Sequence, residues 1–143
     1  INTDGYAPGS GNGALQVNFD STGNPTGPIS GHYNITVTLT AAMTAAQLSF
    51  AYRMFLNTNA DTGENLYVYA DVNGTQYGVG GNAWVDSAIG NLNEGDSGWL
   101  TVTLNLGPLA AGSHTVRIGG YINDVSDNAE DAWVRLDDIK LQN

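Results

Sequence analysis

The sequence predicts an all-β protein, a β-sandwich or jelly roll of two antiparallel sheets with eight or nine strands. Three observations carry this expectation. Apolar and polar residues alternate with a period of two along segment after segment. Turn-forming residues punctuate those segments at short intervals. The 19 glycines, the abundant Asn and Thr, and 41% apolar residues spread evenly argue for many short strands rather than long helices. At 143 residues the chain, 1–143, reads as a single domain, long enough to bury roughly two-thirds of the surface its unfolded form exposes.

Taken in order, residues 1–13 are rich in turn formers and read as an entry loop with Asp4 as its one charge. Segment 13–19 alternates Leu15, Val17 and Phe19 against Gln16 and Asn18. After a proline-containing loop, 33–39 points Tyr33, Ile35, Val37 and Leu39 inward. Residues 41–47 (AAMTAAQ) fit a single helical turn or a connecting loop. Segment 47–56 places Leu48, Phe50, Tyr52 and Met54 on one face and Ser49, Ala51, Arg53 and Phe55 on the other. Segment 65–72 turns Leu66, Val68, Ala70 and Val72 inward and Tyr67, Tyr69 and Asp71 outward. Asn73-Gly74 predicts a two-residue type I′ hairpin, because both central positions need positive φ, so 75–79 returns antiparallel.

Trp84, Val85 and Ile89 fall in a less regular stretch, and 91–98 is a polar turn. Segment 99–106 buries Leu100, Val102, Leu104 and Leu106. Segment 114–122 buries Val116, Ile118 and Ile122 and turns Arg117, Gly119 and Tyr121 outward. An acidic loop, 123–131, leads to the closing strand AWVRLDDIKL, 132–141. There Val134 and Leu136 share one parity and Ile139 and Leu141 the other, so a kink or bulge is expected at Asp137-Asp138.

Fourteen acids against Arg53, Arg117, Arg135 and Lys140 give a net charge of -10. That balance repels phosphate backbones and anionic membrane surfaces, which excludes nucleic acid and membrane partners. No apolar run approaches the ~20 residues of a membrane-spanning helix, and no signal peptide is present, so Ile1 is expected to follow a processing or cloning boundary. The absence of cysteine removes disulfides, thiolate metal sites and cysteine nucleophiles.

The outward positions Arg53, Tyr67, Tyr69, Asp71, Arg117 and Tyr121 make an unusual set for a plain solvent face. Sugars present C–H patches on their ring faces and hydroxyls around the rim; flat aromatics suit the first and planar, bidentate side chains the second. The alternative is that Tyr67 and Tyr69 pack across strands under a loop and Arg53 pairs with Asp71. Trp84, on an irregular loop, is the favoured tryptophan for stacking at the rim; Trp99 and Trp133 start strands and face away from the expected core. His32 and His114 lack metal-ligand spacing and read as strand-edge residues. The acid-rich loops 57–64 and 123–131 offer the hard oxygen ligands calcium prefers, or simply solvated acids.

The order of GALQV, LSFAYR, WLTVTLNLGPLAAGSHTVRI and LDDIKL resembles the β-jelly-roll carbohydrate-binding modules of secreted polysaccharide-degrading enzymes, over most of the chain. The resemblance implies a non-catalytic module that binds polysaccharide and targets an attached glycoside hydrolase or lyase, extracellular and monomeric. It also implies a structural calcium held by Asp137, the acid after the aliphatic residue of the ending. The family's first strand often supplies a further acid; this chain has no regular counterpart, and Asp4 stands in its place. With the charge of -10, a neutral β-linked glycan is the expected partner, although Arg53 and Arg117 could locally accept a uronic acid.

An enzyme would need a general acid and base or a nucleophile in a cleft. No G-x-S-x-G elbow, H-E-x-x-H helix or phosphate loop occurs. Jelly-roll lyases and glycosidases remain the alternative, with Tyr69 as acid/base and Arg117 as charge neutraliser, and a structural or adhesion module is the third class.

Overall fold

The computed structural model describes residues 13–20, 26–127 and 129–143 and contains ten strands among them and no helix. In chain order these are β1 (Leu15–Asp20), β2 (Ile29–Leu39), β3 (Met43–Leu56), β4 (Asn65–Val72), β5 (Thr75–Tyr77), β6 (Asp86–Ile89), β7 (Gly95–Asp96), β8 (Leu100–Leu109), β9 (Gly112–Ile122) and β10 (Asp131–Gln142). They form two five-stranded sheets. The first runs β1-β10-β3-β7, with β8 also paired to β3; the second runs β2-β9-β4-β5, with β6 also paired to β4. Every pairing is antiparallel.

The period-two alternation decides what is buried. Leu66, Val68 and Ala70 on β4, Ile118 on β9, and Val134 and Leu136 on β10 are wholly enclosed, meeting Leu48, Phe50 and Met54 of β3 in one core. Each fully buried Val, Leu, Ile, Phe or Met contributes about 1.5–3 kcal/mol. Paired Gly31 and Gly120 let the sheets close here. A Cβ on Gly31 would come within 2.5 Å of Val17 Cγ1, and one on Gly120 within 2.7 Å of Val134 Cγ2.

The expected bulge in the closing strand is present: the β10–β3 register shifts between Asp137 and Lys140, and Asp138 takes φ 55°. Asn73 and Gly74, at φ 54° and 84°, make the expected hairpin turn. Three expectations are corrected. The strands number ten among the described residues rather than eight or nine, because 86–89 and 95–96, read as an irregular stretch and a polar turn, pair with β4 and β3 as the short β6 and β7. Residues 43–47, read as a helical turn or loop, belong to β3, whose register against β8 shifts twice between Met43 and Gln47 and so blurs the alternation. Leu100, expected inside, is 40% exposed at the start of β8.

Candidate functional site

The outer face of the second sheet is a grid of three rungs set by strand register. Ser30, Tyr121 and Tyr67 share the first, His32, Gly119 and Tyr69 the second, and Asn34, Arg117, Asp71 and Gln76 the third. Along β9, Tyr121 and Arg117 stand four residues apart, about 13 Å at about 3.3 Å per residue, and between them Gly119 has no side chain. Glycine is required there by the backbone: a Cβ would lie 2.1 Å from the Gly31 carbonyl oxygen. His32 and Tyr69, on either side of Gly119, lean together over it with their rings edge to face at 6.4 Å, so that Gly119 is buried beneath them.

Beyond β4 the fourth strand position is split between β5 and β6, and residues 78–85 leave the sheet as a loop. Val79 N–H donates to the Trp84 carbonyl and Val85 N–H to Val68, which ties both ends of the excursion. Gly78 sits at its throat, where a Cβ would strike the Asn82 and Trp84 carbonyls. The loop sets Trp84 against Tyr67 with ring centroids 5.1 Å apart, and Tyr67 stacks on Tyr121 at 5.9 Å. Trp84 remains 37% exposed. Together these walls enclose an open cleft of about 680 Å³ that also takes in Ala83 and Asn123.

At the polar end, Arg117 Nε forms an ion pair with Asp71 Oδ2 at 2.6 Å. Asp71 is buried and its other oxygen accepts Gly74 N–H at 3.1 Å, so the carboxylate joins the hairpin turn to the guanidinium and has little surface left for a ligand. Asp71 therefore positions Arg117. Burial raises the Tyr69 phenol above its ordinary pKa; Arg117 opposes that and Asp71 adds to it. Tyr69 thus stays a neutral hydroxyl, able to donate and accept.

Six of the seven residues expected to bind a sugar, Tyr67, Tyr69, Asp71, Trp84, Arg117 and Tyr121, line this one cleft. Arg53 does not. It lies on β3 in the opposite sheet, where Nε donates to Asp96 at 2.8 Å beside Trp133, and Trp133 stacks on Phe55 at 5.2 Å. The suggested Arg53–Asp71 pair is replaced by Arg117–Asp71 and Arg53–Asp96. The cross-strand packing weighed for Tyr67 exists, and the packed rings still line the cleft. His32, read as a strand-edge residue, is a cleft wall; Ser30, Gln76 and Asn123 also line it. The signal for His32 was its position one period before Asn34 in the same alternation.

Asp137 sits at the bulge, where one of its oxygens accepts Asp138 N–H at 2.7 Å, while Asp138 pairs with Lys140 at 2.9 Å. Asp4 lies outside the described residues. Among the described residues no group of three or more His, Cys, Asp or Glu is arranged to hold a metal; calcium also accepts backbone and amide carbonyl oxygens. Of the acid-rich loops, Glu64 and Glu130 are buried as neighbours, and burial followed by the Glu64 contact raises Glu130 against the lowering effect of Ser126.

The fold and cleft define an all-β two-sheet protein with a polar-aromatic groove on one sheet. No protein-family model and no curated protein sequence matches the chain. Among solved structures it is similar to one described as "EclA C-terminal domain; sugar-binding protein", at 14% identity and a TM-score of 0.38, over 92% of this chain and 80% of that one.

Proposed function

We propose that the protein is a non-catalytic carbohydrate-binding module whose ligand, a neutral β-linked glycan, lies along the cleft between Trp84 and Arg117. One observation carries this reading: the rings of Trp84, Tyr67 and Tyr121 and a guanidinium held by Asp71 line one open cleft. The rings offer flat apolar contact to sugar C–H faces, and the third rung offers directional hydrogen bonds. Asp71 offsets the charge of Arg117, which favours a neutral ligand. Targeting of an attached polysaccharide-degrading enzyme, an extracellular setting and a calcium ion at Asp137 follow as parts of the same proposal.

The test is titration of the protein against a panel of soluble neutral glycans, with Tyr69→Ala and Arg117→Ala alongside. Saturable binding that both variants weaken, with melting temperatures near that of the parent, supports the reading. Full affinity in both variants places the site elsewhere.

His32, Tyr69 and Arg117 in one cleft also give a second reading, β-elimination of a uronate, which needs a cation beside the carboxylate and a base for the C5 proton. Against it, the Tyr69 phenol is held above its ordinary pKa, the opposite of what a base requires. Accumulation of unsaturated uronates from a polyuronate would establish it.

A further inference from the structure

We propose that Arg117 reads a pair of free hydroxyls on adjacent carbons, so that the cleft selects glycans whose internal rings carry an unsubstituted vicinal diol. This rests on the carbohydrate-binding reading above. The guanidinium is held from one side. Its Nε side is committed to Asp71 at 2.6 Å, and Asp71 is in turn fixed by Gly74 N–H. That contact sets the plane of the group and leaves both terminal nitrogens without a protein acceptor among the described residues, on a side chain 40% exposed in the cleft.

Two parallel N–H donors at fixed spacing match two oxygens side by side. A carboxylate and a gauche vicinal diol both supply such a pair. The choice between them is made by Asp71, whose negative charge lies directly behind the guanidinium and repels a second anion, whereas hydroxyls meet no such repulsion. Hydroxyls also need acceptors for their own protons, and the Gln76 amide on the same rung can both donate and accept.

The diol is positioned by the cleft, which Tyr121 and Arg117 both line. A ring lying on the His32–Tyr69 pair, which covers Gly119, has Tyr121 two residues to one side along β9 and Arg117 two residues to the other. Its edge therefore faces the guanidinium while the neighbouring ring of the glycan reaches the tyrosines and Trp84. Internal rings joined 1→4 keep their 2,3-diol; internal rings joined 1→3 keep hydroxyls only at non-adjacent carbons. Linkage is thus legible to a single arginine.

The experiment pairs neutral β-1,4- and β-1,3-linked oligosaccharides of equal length, built in turn from glucose, galactose, mannose and xylose, with polygalacturonate and alginate as anionic probes. Binding is measured calorimetrically to the parent and to Arg117→Lys, which keeps the charge and the pairing to Asp71 and loses the fork. We expect the bound oligosaccharides to be 1,4-linked, at least about tenfold tighter than the 1,3-linked partner of the same sugar. Arg117→Lys should bring that ratio close to one while the melting temperature stays put. Equal binding of both linkages, an unchanged ratio in Arg117→Lys, or tighter binding of a polyuronate would overturn the diol assignment and leave carbohydrate binding intact. Failure of every glycan to bind would overturn both.

Discussion

Tyr52 and Asp86 join the two sheets through the core: the phenol of β3 donates to Asp86 Oδ2 on β6 at 2.9 Å. The other carboxylate oxygen accepts Ser87 N–H at 2.8 Å. This strut fixes the strand that begins just after the Trp84 loop. Burial, the Asp86 hydrogen bond and its charge all raise the phenol's pKa.

Replacing Tyr52 with Phe should destabilise the protein by about 1–3 kcal/mol, because Asp86 is left with an unsatisfied oxygen in a partly buried setting. In the parent, folding holds the phenolic proton more tightly than the unfolded chain does. Stability should therefore fall as pH rises above the ordinary value of 10.0. Denaturant titrations of both proteins across the alkaline range check this, and an equally steep loss in the variant contradicts it.

Glu130 gives a pH dependence at the acid end. Its pKa is raised from 4.5 by burial and by Glu64, so the folded state binds a proton that the unfolded state has released. The sign is that stability is fullest below 4.5 and declines as pH climbs through the raised value. Glu130→Gln, which carries the equivalent of the proton permanently, should flatten that part of the profile in thermal melts.

Trp84→Ala should weaken glycan binding by about 0.5–1.5 kcal/mol, the worth of an aromatic contact beyond its area. Its ring also packs on Tyr67, so the melting temperature should fall modestly, and affinities are compared where both proteins are folded. Arg53→Ala, on the opposite sheet, is the matched control and should leave affinity unchanged.

Calcium, if bound through Asp137 as proposed, should raise the melting temperature relative to excess chelator, and Asp137→Asn should abolish the difference. An ion at 100 times its dissociation constant adds about 2.7 kcal/mol. Identical melts in both buffers remove the ion from the account.

Much of this arrangement was legible in the sequence because parity is a local property. Tyr67, Tyr69 and Asp71 had to share a face, as did Arg117 and Tyr121, and the parity change at Asp137-Asp138 announced the bulge. Parity does not say which sheet a strand joins. Arg53 points outward as expected, yet outward from the other side of the sandwich, since β3 pairs with β10 and β8 rather than β4. His32 was missed for another reason. Gly31 interrupts the alternation on the inner face, where a side chain would strike Val17, so the strand looked as if it began at Tyr33. The role of Gly119 is non-local, because the clash that demands it comes from the neighbouring strand.

The split of the outer strand into β5 and β6, three and four residues long, reaches beyond ligand contact. A long, flat border with unpaired amides would invite a second copy of the chain to add itself as a further strand. Here the border is cut in two, and the loop bearing Trp84 stands in the gap. If the protein binds polysaccharide as proposed, many copies crowded onto one fibre would reach a high local concentration without opening a route to edge-to-edge polymerisation along this side.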